Sequence, residues 1–389
     1  MLDWIIIGGG IHGCTVTNFL LKSGKTTTDK IRIIDPHPEP MYKWRRNTAF
    51  IGMEFLRSPS VHHIDVDPLA LEKYAKKNNE SNRLYGKYDR PSLSIFNEYC
   101  DKIVEDVGLR QTWVKGKVNG VFKEQDDWCV QTESGQRFHS KHVVIAISIN
   151  HRLNIPDWAK EINEEKASAY HVFNESLTNV TELSPPITVI GGGITAAHTA
   201  IKLSSIYPGK VTLLKRHPFR IHSFDSDPGW LGPKYMASFN KVKDYSKRRI
   251  MINEARHRGS LTRELYHRLL HLRNDGSLSI VEGEVEDVKQ ENNDPLTLHL
   301  KDGQHINTSS ILFATGFIPS FPNEEWLIDL MKREDLQCAN CGYPIVRSSL
   351  EWCQHLFVTG PLSELELGPV ARNISGARRA AERIVQNIN

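Results

Sequence analysis

The sequence is poor in three things, and each absence narrows what the chain is. Six cysteines in 389 residues are too few for a disulfide scaffold and suit a reducing compartment. No charge of one sign dominates: 49 Lys and Arg against 46 Asp and Glu leave a formal charge of +3, which argues against nucleic acid or a membrane surface as partner. No apolar run approaches the ~20 residues that a membrane-spanning helix needs. The N-terminus enters an apolar run at Trp4–Ile7 with no basic leader or cleavage site before it, so a cytoplasmic protein is expected. The 26 glycines are an ordinary share, and 39% hydrophobic with 24% charged residues describe a globular chain. The length predicts two to three domains.

What is present is one plan used twice. Trp4–Ile7 reads as a buried parallel strand and runs into Gly8-Gly9-Gly10-Ile11-His12-Gly13, a G-x-G-x-x-G. Val16, Phe19 and Leu20 follow at helical spacing, Gly24 marks a helix end, and Ile31–Ile34 is a second strand ending in Asp35, 22 residues beyond Gly13. The plan returns after Pro185-Pro186. Ile187–Ile190 is a strand, Gly191-Gly192-Gly193-Ile194-Thr195-Ala196 is a G-x-G-x-x-A, a helix runs through Ala200, Ile201 and Leu203, and Val211–Leu214 is the next strand. Each copy closes on short strands and a final apolar one, Val143–Ser148 in the first and Ile311–Gly316 in the second. Pro156, Pro319 and Pro322 mark the crossings between copies, and the helix-like Ala377–Ile388 is expected to return to the first. The Arg-, His- and Trp-rich stretches at 40–65 and 220–260 are expected to be long loops that line a cleft.

The expected fold is α/β, with two Rossmann-like three-layer dinucleotide-binding domains, the second inserted into the first. Residues 1–160 and 311–389 would form one domain and 161–310 the other. In the first loop Gly8 permits the turn, Gly10 lets backbone approach a pyrophosphate, and Gly13 lets helix pack on strand. The helix start offers free N–H groups to phosphate, and Asp35 is placed to accept from ribose hydroxyls. In the second loop Gly191, Gly193, Thr195 and Ala196 play the corresponding parts. Its second strand ends in Lys215-Arg216, 20 residues beyond Ala196 at Arg216, where cations attract the 2′-phosphate of NADPH and an acid would repel it.

A dinucleotide site completed by a C-terminal return, with a second inserted, resembles the two-dinucleotide-binding-domain flavoproteins over nearly the whole chain. That resemblance implies FAD on the first site and NADPH on the second. Ala314-Thr315-Gly316 matches the family's closing A-T-G at the domain crossing, whereas the first closing segment departs from it as Ala146-Ile147-Ser148. Disulfide reductases of this kind carry a redox Cys pair early in one of the domains, and neither place has one here. Gly191–Ala197 is similar to the NADPH loop of the lysine/ornithine N-hydroxylating branch of class B flavoprotein monooxygenases, with Ile194 where that branch has Gln. Trp44, Met53–Pro59 and Asp67-Pro68 are similar to its flavin-side stretch, and Phe224–Pro228, Pro233, Tyr235 and Phe239 to its NADPH-domain insertion. Leu356–Gly360 fits the flavin-side strand and turn, but Glu364–Pro369 departs from the N-hydroxylase ending. The resemblance implies an enzyme that reduces FAD with NADPH and, with O2, oxygenates a small-molecule amine or thioether through a peroxyflavin. It implies cofactor contacts at Gly8, Gly10, His12, Gly13, Asp35, Trp44, Gly191, Gly193, Thr195, Ala196, Lys215, Arg216, Thr315, Gly316 and Gly360, and no metal. An NADPH-dependent reductase of a disulfide, quinone or other small acceptor, and a flavin-bound sensor without turnover, are the alternatives.

Other signals stay secondary. Cys338-Ala-Asn-Cys341, with Cys353 and His355 downstream, reads as ordinary loop or core thiols, with zinc or an accessory redox pair as alternatives. His62-His63 is an improbable metal pair, His171 reads as structural, and Lys247-Arg248-Arg249 reads as a solvated face. Substrate choice is expected to lie in the 40–65, 220–260 and 360–372 segments.

Overall fold

Each glycine loop opens an α/β unit in the computed structural model, which describes residues 1–149, 152–160, 162, 168–290, 295–318 and 320–388. The strand Leu2–Ile7 lies at the centre of the first sheet, parallel to Ile31–Asp35 on one side and to Arg137–Ile145 on the other. Trp113–Lys115 extends the sheet beyond Ile31–Asp35, and Leu356–Val358 extends it beyond Arg137–Ile145, both parallel. Period-2 alternation divides the central strand between two cores. Trp4 and Ile6 pack with the helix Ile11–Lys22 and the C-terminal helix Ile374–Gln386, while Ile5 and Ile7 pack with Val121, Val130 and the helix Glu325–Arg333. The second layer on that latter face is an antiparallel meander through Val118–Glu124, Asp127–Thr132 and Arg137–Ile145.

The second unit repeats the arrangement. Its parallel sheet runs in the order Ser279–Glu282, Val211–Lys215, Ile187–Ile190, Ser310–Phe313 and Ser168–His171. Ile187 and Val189 face the helices Ile194–Ile206 and Arg263–Asn274, and Ile311 and Phe313 face a three-stranded antiparallel layer at 285–308. The expected α/β, three-layer class is therefore present in both copies. The expected division at 310/311 falls inside the strand Ser310–Phe313, which pairs on both sides within the second sheet. Pro319, read as a crossing marker, lies outside the described residues.

The stretches expected as long loops contain helices at Tyr42–Ile51, Pro233–Lys241 and Tyr245–Ala255. Pro233 sits at the first helical position, and the Asp244 carboxylate caps Ser246 N–H at 2.8 Å. Among the described residues no helix is long and apolar enough to cross a membrane.

In the basic run at 247–249, read as a solvated face, Lys247 is exposed but Arg248 and Arg249 turn inward. Arg248 is buried and donates to Val242 O at 2.8 Å and Leu365 O at 2.7 Å. Arg249 donates to Glu364 at 2.8 Å. Glu364 is fully buried and also receives a bidentate pair of 2.7 Å bonds from Arg372, with Arg256 at 3.9 Å. Arg249 turns inward because a buried carboxylate on the returning C-terminal segment demands cationic partners. Burial opposes ionisation of Glu364, but Arg372 and Arg249 outweigh it and hold its carboxyl below the ordinary glutamate range, while Glu364 in turn raises Arg249 against the effect of burial.

Glu364→Gln leaves the Arg249 and Arg372 guanidiniums without their counter-ion, Arg256 keeping Asp225 at 2.9 Å, and should cost ~3 kcal/mol of stability at neutral pH, read as a lower urea midpoint. A carboxyl depressed in the folded state stabilises above its unfolded pKa and loses that contribution as pH falls through the folded value. The gap between wild type and variant should therefore be full at neutral pH and shrink on acidification. A gap that is constant with pH would contradict the ion-pair assignment.

Candidate functional site

The first loop joins strand Leu2–Ile7 to helix Ile11–Lys22 through a turn that only glycine permits. Gly8 has φ +103°, and a Cβ there would lie 2.8 Å from Ala146 O. A Cβ on Gly13 would meet Gly8 O at 1.9 Å, so the helix start presses directly on the strand end. Gly10 is different, because a Cβ there would meet nothing within 4 Å. Gly10 caps a helix with no side-chain cap and no acid in its first turn, which leaves its N–H groups facing that open space. Asp35 accepts Gly9 N–H at 2.7 Å and His37 N–H at 2.9 Å, fixing the loop to the second strand.

His12 turns to the C-terminal return. Its Nδ1 lies 3.1 Å from Thr359 Oγ1, and a Cβ on Gly360 would touch the ring at 3.5 Å. Burial drives its pKa down to about 4, so the ring is neutral at pH 7. The residues Gly8, Gly10, His12, Gly13, Asp35 and Gly360 are thus gathered at one end of the first sheet. Trp44 is not brought into that loop. Its indole N–H donates to Asn97 at 3.1 Å and its ring tilts against Phe96 at 5.5 Å, tying helix Tyr42–Ile51 to helix Leu93–Asp106.

The second loop repeats the geometry. Gly191 has φ +149° and a Cβ there would lie 2.6 Å from Ala314 O, while one on Gly193 would approach Gly259 Cα at 3.2 Å. Thr195 and Ala196 open an uncapped helix without acids in its first turn. The two strand-end cations have different fates. Lys215 is buried, forms an ion pair with Glu282 and lies over the Phe219 ring at 4.9 Å. Its charge is neutralised within the sheet, because a Lys Nζ taken from water needs a carboxylate. Arg216 is exposed and has no partner among the described residues, which leaves it as the cation facing solvent at this strand end. The His217 ring lies 3.5 Å from where a Gly192 Cβ would be.

Thr315 and Gly316 sit where the chain crosses between units, bonded to the opposite crossing. Thr315 Oγ1 donates to Asn154 O, Asn154 Nδ2 donates to Thr315 O at 3.2 Å, and Asn154 N–H donates to Gly316 O at 3.0 Å.

Between the units lies a cleft of about 470 Å³ that the motifs did not reveal. Glu54, Phe55, Arg57, Tyr85 and Arg90 line it from the first unit, and Ile194, His198, Glu264 and Arg268 are among those from the second. Ion pairs span it: Arg268 grips Glu54 through bonds of 2.7 and 2.8 Å, and Arg90 pairs with Glu264. Arg57 donates to His222 O and Phe224 O, both at 2.7 Å, and to Ser260 Oγ at 2.9 Å. His198 is buried with an unpartnered Nε2, and burial lowers its pKa to about 4. Arg57 lies in the Met53–Pro59 stretch and the 40–65 segment was expected at a cleft, but nothing local marks Arg90, Glu264 or Arg268, which meet only when the units pack.

Cys338, Cys341, Cys353 and His355 do not converge as a group of metal-type donors. Among the described residues the group of metal-type donors that converges is Glu124, Cys129 and His139, where Arg137 already donates to Cys129 Sγ at 3.2 Å and to Glu124 at 2.7 Å. His63 is buried, with Nε2 3.2 Å from Pro68 O and Nδ1 accepting Asp65 N–H, so it serves its own loop.

Both glycine loops offer uncapped helix starts, positive-φ turns and a strand-end partner, and the open space at Gly10 fits a pyrophosphate. The family comparison agrees. A model described as FAD-NAD(P)-binding matches residues 5–150, and one described as L-lysine 6-monooxygenase/L-ornithine 5-monooxygenase matches 79–319, more than half of the chain. No curated protein matches the sequence. Among solved structures, the ornithine hydroxylase PvdA from Pseudomonas aeruginosa is similar at TM-score 0.77 and 15% identity, covering 99% of this chain and 98% of that one. The FAD-bound cadaverine monooxygenase DfoA from Erwinia amylovora is similar at TM-score 0.74 and 17% identity, covering 99% and 94%. The Kutzneria sp. 744 ornithine N-hydroxylase KtzI, with reduced FAD, NADP+ and L-ornithine, is similar at TM-score 0.74 and 13% identity, covering 99% and 98%. At these identities the likeness is one of fold, and the family match over 79–319 decides the rest: the chain belongs to the L-lysine 6-monooxygenase/L-ornithine 5-monooxygenase family, enzymes that use FAD and NADPH.

Proposed function

We propose that this protein hydroxylates the terminal amine of a small aliphatic substrate, drawing on NADPH and O2. The family match over 79–319 carries the reading, and the cleft between the two units with its charged lining supports it. Among the similar structures one acts on ornithine and another on cadaverine, which brackets the substrate class as a primary amine on an aliphatic chain. The chain would divide as 1–160 and 314–389 for FAD and 161–313 for NADPH. Six free cysteines fit a reducing, cytoplasmic setting.

In this reading the helix start at Gly10, Ile11 and His12 would hold the FAD pyrophosphate, Asp35 would accept from its ribose, and Thr359 and Gly360, which lie against His12, would complete the site. Gly193, Thr195 and Ala196 would hold the NADPH pyrophosphate, and Arg216 would pair with its 2′-phosphate. Bound FAD supplies the two-electron acceptor for the nicotinamide hydride and the centre at which O2 is activated. The polypeptide positions and dries the site. The pairs Glu54–Arg268 and Arg90–Glu264 hold the two units together around the cleft, and Phe55, Ile194 and Leu265 present apolar surface to the aliphatic part of a substrate. Glu54 and Glu264 are the carboxylates in the cleft lining, each already paired with an arginine, so an incoming ammonium group would have to compete with Arg268 or Arg90 for them.

The FAD-loaded enzyme should consume NADPH with formation of a hydroxylamine from one of ornithine, lysine or cadaverine, assayed as hydroxylamine product per NADPH. Turnover of a disulfide or quinone with no hydroxylamine from any amine would sink the reading.

Arg216→Ala should raise the NADPH KM about tenfold and leave that for NADH unchanged, the loss of one charge-assisted bond of ~1.5 kcal/mol. Lys215→Met should lower thermal stability while leaving the NADPH/NADH ratio as it was. The reverse pattern would return the 2′-phosphate to Lys215.

Two glycine changes separate ligand space from packing. Gly10→Ala adds a methyl where the protein has room, so the folded chain should keep its melting temperature and lose bound flavin. Gly13→Ala collides with Gly8 O and should lower both. Full flavin content in Gly10→Ala would exclude that space as the pyrophosphate site.

A further inference from the structure

Three metal-type donors on the antiparallel meander of the first unit are left unused by the proposed chemistry. Along Val118–Glu124, Asp127–Thr132 and Arg137–Ile145 the side chains alternate between two faces. Val121, Trp128 and Val130 point into the core, and the opposite face carries Phe122, Glu124, Cys129, Arg137 and His139. Register assembles the group: Cys129 pairs directly across from His139, and Glu124 reaches them from the neighbouring strand. Cys129 is buried, while Glu124 and His139 are exposed.

The donor atoms are spaced for a metal. All three lie within 4.8 Å of one another, and His139 Nδ1 is 3.4 Å from Glu124 Oε2. A tetrahedral zinc at ~2.3 Å from sulfur and ~2.1 Å from nitrogen or oxygen sets its donors ~3.4–3.6 Å apart. The histidine–glutamate edge already has that length, and the sulfur has ~1 Å to close. The place also holds a cation. Arg137 Nε donates to Cys129 Sγ at 3.2 Å and its Nη2 to Glu124 Oε1 at 2.7 Å, so the guanidinium bridges two of the three donors. The Arg137 side chain is exposed, and an exposed ion pair holds it only weakly against release to water.

We propose that Glu124, Cys129 and His139 form a binding site for a divalent cation of the zinc type, with Arg137 as the resident side-chain cation that the metal displaces. Sulfur, imidazole and carboxylate together favour zinc over magnesium or calcium, which take oxygen ligands. On binding, the Cys129 thiol gives its proton to solvent, Cys129 Sγ, His139 Nδ1 and Glu124 Oε2 take three positions, and water takes the fourth. One ligand comes from each of three successive strands, so the metal ties the meander together. None of the three lines the cleft, and the site is independent of the amine-hydroxylating reading.

The test titrates the reduced, full-length, FAD-loaded protein with Co2+ and then Zn2+, recorded as a difference spectrum against the metal-free sample. Wild type should gain a sulfur-to-cobalt charge-transfer band that stoichiometric Zn2+ removes. Cys129→Ser should abolish the band, and His139→Asn, at an exposed position, should shift the titration to higher cobalt concentration. Arg137→Met removes the competing cation and should tighten cobalt binding about tenfold, the equivalent of one charged contact. A protein carrying both Cys338→Ser and Cys341→Ser should keep the band in full. No band in wild type, a band that survives Cys129→Ser, a band lost with Cys338 and Cys341, or unchanged affinity in Arg137→Met would overturn the assignment. If Cys129→Ser fails to fold, His139→Asn and Arg137→Met decide between them.

Discussion

A carboxylate with no access to water organises the joint between the two halves of this protein. Glu364 sits on the segment that returns from the second unit to the first, and burying its charge is tolerable only if cations come to it. Arg249 and Arg256 reach it from the 225–256 insertion, and Arg372 from its own segment. Around that centre Arg248 and Arg383 both engage Glu366, and Arg379 donates to Trp230 O at 3.1 Å. The insertion therefore docks on the C-terminal return by charge as well as by the contacts of Trp230, Met236 and Phe239 with Leu365 and Val370. The segment in which the sequence departs from the N-hydroxylase ending is the one that builds this joint.

The two nucleotide loops show the same steric logic with different residues around them. In each, the first glycine presses on the carbonyl of an alanine that ends the closing strand, Ala146 in one unit and Ala314 in the other. That contact is backbone to backbone, so it constrains the glycine strictly and the residues after the alanine hardly at all. It accounts for a first closing segment that reads Ala146-Ile147-Ser148 while the second reads Ala314-Thr315-Gly316. The latter pair is engaged with Asn154 at the crossing, so those residues couple the units where chain passes between them.

Much of the framework was legible along the chain. Strand, glycine turn, helix and strand end recur as local patterns, and local patterns survive in a single sequence because steric and dipole requirements act over a few residues. Helices Pro233–Lys241 and Tyr245–Ala255 were not legible, since their faces are divided between solvent and a charged joint and carry no clean apolar stripe. The cleft was half legible: Arg57 fell in a stretch marked for a cleft, but Arg90, Glu264 and Arg268 are ordinary charged residues until their partners are known.

By itself the sequence determined two dinucleotide units, their nesting, and the contrast between Asp35 at one strand end and cations at the other. It could do so because glycine geometry and strand patterning are properties of short segments. Only the tertiary structure decided which cation stays free. Lys215 and Arg216 are adjacent and chemically alike, yet one points into the sheet against Glu282, 67 residues away, and the other into solvent. It also decided that Arg248 and Arg249 face inward while Lys247 stays exposed, and that Arg249 rests on Glu364. The reason is the same in each case: a charge takes its meaning from the groups that surround it after folding, and those groups come from distant parts of the chain.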